Sequence, residues 1–318
     1  MFTALLTSLI ALAVLSWSAD RFVTGAAGLA LDFGLSRALV GLTLVAFGTS
    51  APEILVSATA ALSGSSALGV ANALGSNIAN LGLVLALTLL WRPVPCPDHS
   101  RRLVLSACLL VTALAGVVLI DGHLTRADGA ILLIGLVALA LITWHRKTST
   151  PQPARPQPGR SRRHDLLLFF GGLVLLLISA RALVWGATEA ARQLGVGEAL
   201  IGLTLVALGT SLPELATCLA ATRRGHGDLA LGNVLGSNIL NLLMVLPMPA
   251  LLGPGRLADP ALLDRDYAAM VLLTLVMALG MMLAVRHPLG RGTGLALLGG
   301  YAVYLMVLWR GLQATSGV

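Results

Sequence analysis

The sequence predicts an all-α polytopic membrane protein of ten transmembrane helices in two inverted five-helix repeats, and three observations carry that expectation. Hydrophobic residues make up 57% of the 318 and charged residues only 11%, with a mean hydropathy of +0.88, which is the balance of a chain solvated by lipid. Uncharged runs such as 103–120, 18 residues long, are sufficient at about 1.5 Å per residue to cross most of the ~30 Å hydrocarbon layer. The segment 41–80 returns at 202–241 without a gap and with 21 of 40 positions identical, so a constant offset of 161 relates two halves of the molecule.

The predicted spans are 3–30, 38–62, 67–91, 103–120, 129–144, 165–192, 199–222, 228–252, 267–285 and 293–312. The first has no basic stretch before it, and its Ser18-Ala19 and Gly25-Ala26 recur at Ser179-Ala180 and Gly186-Ala187; it reads as a retained helix rather than a cleaved signal peptide. Spans two and three hold the first copy of the repeat, and the charge-free fourth and fifth close an N-terminal half over 1–147. A basic, Pro-rich linker follows at 148–163 (TSTPQPARPQPGRSRR), too polar to enter the membrane and too short to fold alone. The sixth span repeats the first, the seventh and eighth carry the second copy, and the ninth and tenth complete a C-terminal half over 164–318. Five span intervals separate the copies, so equivalent helices enter the bilayer from opposite sides and the motifs meet near the midplane. The 35 glycines and few aromatic residues suit close helix packing, and the alternating polarity of a lipid-facing barrel is missing.

Charge sets orientation and removes other classes. With the N-terminus outside, predicted cytoplasmic loops carry fourteen Lys or Arg residues against five on the other side, as the positive-inside rule requires. The expected location is therefore the cytoplasmic (inner) membrane of a bacterium or archaeon, with both termini outside and the linker in the cytoplasm. The net charge of +7 belongs to these topogenic loops rather than to a nucleic-acid surface. The three cysteines form no CxxC, and the six histidines form neither HExxH nor an i,i+4 pair, so neither a disulfide framework nor a zinc site is expected.

The chemistry lies in GTSAPE and GTSLPE, ending at Glu53 and Glu214. Pro52 and Pro213 have no N–H for the helical ladder, which frees carbonyls near Gly48 and Gly209. Thr49, Ser50, Thr210 and Ser211 add hydroxyl oxygens beside them, and Ser50 with Glu53, like Ser211 with Glu214, is spaced three apart on one helix face. The second motif, GSNIxN, sets Ser76 four residues from Asn80 and Ser237 four from Asn241, which completes a shell made of oxygen alone. Two carboxylates among hard oxygen donors suit Ca²⁺ or Na⁺ rather than soft metals. Serines and asparagines in spanning helices commonly bond one another, but a glutamate at membrane depth costs about 2.5–3.5 kcal/mol on insertion scales, which makes Glu53 and Glu214 the residues that need a functional reason. Asp20, followed by Arg21 and aligned with Arg181, reads as half of a local or inter-half ion pair, and Asp228 as a charge at a helix N-terminus.

With both motifs present twice, in order and inverted, the chain resembles the calcium/cation antiporter superfamily, and in particular its prokaryotic sodium/calcium exchanger branch, over essentially its whole length. The resemblance implies ten helices in two inverted halves and a secondary active antiporter that exchanges Ca²⁺ for Na⁺ or H⁺ by alternating access, with the ions as transported substrates and no cofactor. It assigns Glu53 and Glu214 as shared carboxylate ligands, Thr49, Ser50, Thr210, Ser211, Ser76 and Ser237 as oxygen donors, and Ala46 and Ala207 as donors of backbone carbonyls. One departure stands out: the branch commonly has aspartate where this chain has Asn241, and asparagine only at the place of Asn80. That change leaves the coupling ion and the stoichiometry open. A passive channel or a non-transporting scaffold is the alternative, and an intramembrane hydrolase using Ser50 or Ser211 lacks a histidine or lysine base at membrane depth.

Overall fold

The structure, a computed structural model, describes residues 1–96, 98–147, 161–194, 207–257, 260–284 and 287–316. Most of the predicted linker and the first part of the predicted seventh span, 199–206, lie outside the described residues, as do Glu198, Arg155, Arg160 and Arg286.

The described helices are α1 (Phe2–Asp32), α2 (Arg37–Thr49), α3 (Ala51–Leu62), α4 (Ser66–Trp91), α5 (Asp98–Leu119), α6 (Arg126–Lys147), α7 (Arg162–Gln193), α8 (Ala207–Thr210), α9 (Leu212–Arg223), α10 (Gly227–Leu252), α11 (Leu262–Leu283) and α12 (Arg291–Ser316). Eight of them are long and apolar enough to cross a membrane, and α2 with α3 makes a ninth if that bent pair is one span. The tenth span expected from the sequence falls where the described residues begin only at Ala207. Two residue pairs, His123 with Arg256 and Leu124 with Gly255, join β1 (His123–Leu124) to β2 (Gly255–Arg256) and tie the turn after α5 to the one after α10.

Helices α4 and α10 form the centre. Within their most apolar windows 78% and 94% of residues are buried, against 28% for both α1 and α7 and 17% for α6 and α12. The outer helices turn Leu9, Ile10, Val174 and Ile178 outward, as helices that meet lipid do. At 31 and 32 residues, α1 and α7 reach about 47 Å, longer than the hydrocarbon layer is thick and long enough to span it with some tilt. They pack on each other through glycines: Gly25 of α1 sits on the backbone of Asp165 and Phe169, and Gly186 of α7 on Ala4 and Ser8. Each partner differs from its counterpart by 161, so this contact repeats the internal duplication.

The other close crossing brings α2 against α10. Added side-chain carbons would overlap the Leu229 carbonyl at Gly41, the Ala38 carbonyl at Gly232 and the Leu42 backbone at Gly236. Only residues without a Cβ permit such an approach, so Gly236 serves close packing. The backbone widens further along the motif: π-helical turns begin at Asn80 (Asn80–Leu85) and Asn241 (Asn241–Val245), five residues after Gly75 and Gly236. Such turns gather at functional sites.

Candidate functional site

Both acidic motifs break their helices at the same place. α2 ends at Thr49 and α3 begins at Ala51, with Ser50 off the helical path at φ −82° and ψ 4° and a bend of 44° between the two segments. α8 ends at Thr210 and α9 begins at Leu212, with Ser211 at φ −88° and ψ 2°. The cause is local. Pro52 and Pro213 occupy the first turn of the second segment, where the absent N–H costs nothing but the bond back to the preceding turn is lost. Each break sets the carbonyl end of one helix against the amide end of the next. Glu53 and Glu214 lie in the first turn of the latter, where a negative charge is favoured, while the carbonyl end favours a cation.

The breaks bring together most of the residues the sequence singled out. Thr49, Ser50, Glu53, Ser76, Asn80, Ser211, Glu214, Ser237 and Asn241 are all buried and Thr210 is half-buried. The hydroxyls of Thr49, Ser50 and Ser237 lie beside the Glu214 carboxylate without closing a full hydrogen bond on it, and Glu53 is close enough to Glu214 for the two like charges to act on each other. The Ala46 carbonyl accepts from the Ser50 N–H at 2.9 Å and from the Thr49 hydroxyl at 3.3 Å. Ala207 opens α8, and its backbone is helical.

What these groups lack is partners. Among the described residues Ser50 Oγ, Glu53 Oε2, Asn80 Oδ1 and Nδ2, Ser211 Oγ, both Glu214 carboxylate oxygens, Ser237 Oγ and Asn241 Oδ1 are buried without a hydrogen bond. A buried polar atom left so costs about 1–3 kcal/mol, and native interiors leave few. Six of these positions form three pairs at the repeat offset: Ser50 with Ser211, Glu53 with Glu214, and Asn80 Oδ1 with Asn241 Oδ1.

Around this empty-handed shell lies a satisfied one that the sequence reading missed. Asn72 Nδ2 donates to the Glu53 carbonyl at 3.1 Å and to Ser57 Oγ at 2.9 Å, and Ser57 donates to the Gly69 carbonyl at 2.9 Å. The second half repeats the pattern with sulfur: Asn233 Nδ2 donates to Cys218 Sγ at 3.5 Å, and Cys218 to the Ala230 carbonyl at 3.6 Å. Asn233 also accepts from the Thr49 hydroxyl at 3.3 Å, linking the halves. Cys218 is thus a hydrogen-bonding member of the frame. Its signal was present in the sequence, since Asn72 and Asn233 are identical at the offset of 161.

Asn77 and Asn238 form a second missed pair. Asn77 donates to the Asn238 carbonyl at 3.2 Å and to Met270 Sδ at 3.4 Å, and accepts from Asn241 Nδ2 at 3.0 Å. The reciprocal contact, Asn80 to Asn238, is not made: Asn80 Nδ2 and Asn238 Oδ1 are both unpaired. Away from the centre, Asp20 does form an inter-half ion pair, but with Arg223 and Arg224 at 3.1 and 2.5 Å, not with Arg21 or Arg181. Arg21 instead lies over the Trp17 ring. Asp228 is in the first turn of α10 and pairs with Arg37 at 3.3 Å.

Buried helices broken at mid-span around two carboxylates and a set of unpaired oxygens define an integral membrane protein of the ion-transporter class. The sodium/calcium exchanger protein family matches residues 3–145 and 164–310, and the chain belongs to that family. Among its relatives, the inner membrane protein YrbG of Escherichia coli K12 is 39% identical over 317 residues, with 96% of each chain covered. CaxA of Alkalimonas amylolytica is 41% identical over 319 residues, 97% of this chain and 99% of CaxA. The solved structure of the sodium-calcium exchanger NCX_Mj soaked with 2.5 mM Na⁺ and 0.1 mM Ca²⁺ superposes with a TM-score of 0.83 at 31% identity, over 96% of this chain and 98% of that one.

Proposed function

We propose that this protein is a secondary active antiporter that exchanges Ca²⁺ for Na⁺ or H⁺ across the inner membrane by alternating access. The observation that carries the reading is the paired set of orphaned oxygens at Ser50 and Ser211, Glu53 and Glu214, and Asn80 and Asn241. A duplicated fold that leaves the same buried positions unsatisfied twice is built for a guest that satisfies them, and a hard cation does so.

In this mechanism Glu53 and Glu214 hold Ca²⁺ or its competitors. Thr49, Ser50, Thr210, Ser211, Ser76, Asn80, Ser237 and Asn241 supply neutral oxygens, and Ala46 and Ala207 supply carbonyls at the carbonyl ends of α2 and α8. The satisfied frame of Asn72, Ser57, Asn233 and Cys218 fixes the carboxylates in place. The halves 1–147 and 164–318 are inverted about the site, joined by the cytoplasmic linker 148–163, with both termini outside. Helices α1 and α7, joined to each other more than to the core, move as a pair and expose the site to one side at a time. An unoccupied site keeps two carboxylates facing each other in a low dielectric; Ca²⁺, several Na⁺ or protons remove that penalty, which couples movement to occupancy.

The test is Ca²⁺ uptake into proteoliposomes with the counter-ion gradient varied between Na⁺, H⁺ and K⁺. Uptake should need an outward gradient of one of them and vanish in Glu53→Gln and Glu214→Gln. Downhill Ca²⁺ flux indifferent to every counter-gradient would make the protein a channel and end the reading.

A further inference from the structure

A groove of about 290 Å³ opens between the α1–α7 pair and the core, apart from the ion site. Its walls are Leu12 and Leu15 of α1, Leu183 of α7, and Leu212, Leu215 and Leu219 of α9, with Trp91 and Arg223 also on its lining. Almost wholly apolar, it offers a hydrated cation no ligand set and cannot serve as an ion path. Its length is that of one leaflet: from Leu212, next to the helix break, to Arg223 at the end of α9 the rise is about 16 Å, half of the ~30 Å hydrocarbon thickness. Trp91 ends α4 and Arg223 ends α9, which are the positions of an interfacial aromatic and a snorkelling arginine.

The charged end selects among lipids. Arg224 grips Asp20 with a two-point fork, Nε at 2.6 Å and Nη2 at 2.5 Å, which neutralises that carboxylate. Arg223 reaches the same carboxylate through one nitrogen, Nη2 at 3.1 Å; its side chain is 62% exposed, and its other nitrogens make no hydrogen bond among the described residues. The cluster of Asp20, Arg223 and Arg224 therefore carries a net charge of +1 at the mouth of an acyl-chain-sized groove. The equivalent positions in the first half are Leu62 and Ser63, so only one leaflet is served.

We infer that this groove is a binding site for one acyl chain of an anionic phospholipid from the leaflet at whose face Trp91 and Arg223 lie, its phosphate held by Arg223. The site stands on geometry alone, whichever ions the centre takes. Because α1 and α7 form one wall and α9 the other, the lipid occupies the seam along which the two parts of the molecule meet.

Trp91 provides the probe. In a full-length variant with Trp17, Trp144, Trp185 and Trp309 changed to Phe, its fluorescence is read in phosphatidylcholine vesicles doped with brominated phosphatidylglycerol, and in the reverse mixture with brominated phosphatidylcholine. Phosphatidylglycerol should quench with about fivefold higher affinity, the preference that one interfacial arginine gives an anionic lipid. Arg223→Gln should abolish the preference, and Ala216→Phe, which fills the groove without altering charge, should weaken quenching by both lipids. Equal quenching by the two lipids in the parent would reduce the groove to ordinary lipid contact. A preference that survives Arg223→Gln, or quenching untouched by Ala216→Phe, overturns the assignment equally.

Discussion

Replacing Glu214 by Gln should separate two effects that move in opposite directions. The side chain is fully buried, its carboxylate oxygens make no full hydrogen bond with the Thr49, Ser50 and Ser237 hydroxyls beside them, and Glu53 opposes it with a like charge. The amide removes one of the two repelling groups and places an NH₂ among the unpaired Ser50 and Ser237 oxygens, so the ion-free variant should melt no lower than the parent. Its response to Ca²⁺ should collapse. Truncating one member of a buried charge pair costs about 2–5 kcal/mol of binding, a loss of at least roughly 30-fold in affinity. At a Ca²⁺ concentration of about 100 times the parent Kd, binding stabilises the parent by about 2.7 kcal/mol. The same concentration stabilises the variant by about 0.9 kcal/mol or less, so the Ca²⁺-induced rise in melting temperature should fall to a third or below. Thermal melting in detergent, with and without Ca²⁺, reads both effects on one sample. A variant whose Ca²⁺ shift equals that of the parent would refute the idea that this carboxylate holds the ion, and a large drop in ion-free stability would show that it is a structural contact instead.

Three further substitutions probe the frame. Asn241→Asp puts a carboxylate against Asn77 Oδ1, now 3.0 Å from the Asn241 amide; Asn77 must turn its amide and give up the Asn238 carbonyl, so the variant should be less stable in choline chloride and recover in NaCl, as melting in the two salts will show. Gly232→Ala drives a methyl group into the Ala38 carbonyl at the crossing of α2 and α10 and should cost about 1–3 kcal/mol, seen as a lower melting temperature and folded yield. Asn77→Ala strands the Asn241 side-chain amide, while the Asn238 carbonyl keeps the Asn241 backbone N–H, whereas Asn238→Ala removes an oxygen that is already unpaired. The first should therefore lose at least about 1 kcal/mol more stability than the second, although the two positions are equivalent in the repeat.

What could be read from the sequence followed the length of its signals. Long uncharged runs gave the spanning helices, and 21 identities in 40 positions gave the paired prolines, whose missing N–H frees a carbonyl in the preceding turn of each helix. The centre followed too, since a glutamate inside an apolar run has few reasons to be there. The supporting frame was harder to see. Asn72, Asn233, Asn77 and Asn238 carry no charge, and an amide in a spanning helix reads the same whether it bonds a neighbour or a guest; only the packing of α4 on α3, of α10 on α2 and α9, and of α4 on α10 tells which. The partners of Asp20 were hidden for a related reason. Arg223 lies 203 residues away, a contact set by how α9 ends beside α1 and by no local pattern.

The bonds of the two halves divide into those that obey the duplication and those that do not, and the division follows function. Asn72 with Ser57 and Asn233 with Cys218 are the same contact made twice, as are Gly25 and Gly186 on their partner helices; contacts of this kind hold the scaffold whichever way the molecule faces. The amide contact around the centre is made once: Asn241 reaches Asn77, while Asn80 and Asn238 stay apart. Two arrangements built from identical donors and acceptors differ little in intrinsic energy, so a chain that adopts one of them retains the other within reach. On the proposed mechanism the movement of α1 and α7 has a local counterpart at the π-helical turns of Asn80 and Asn241: a symmetric frame keeps the carboxylates in place, and a few amides beside them can change partner.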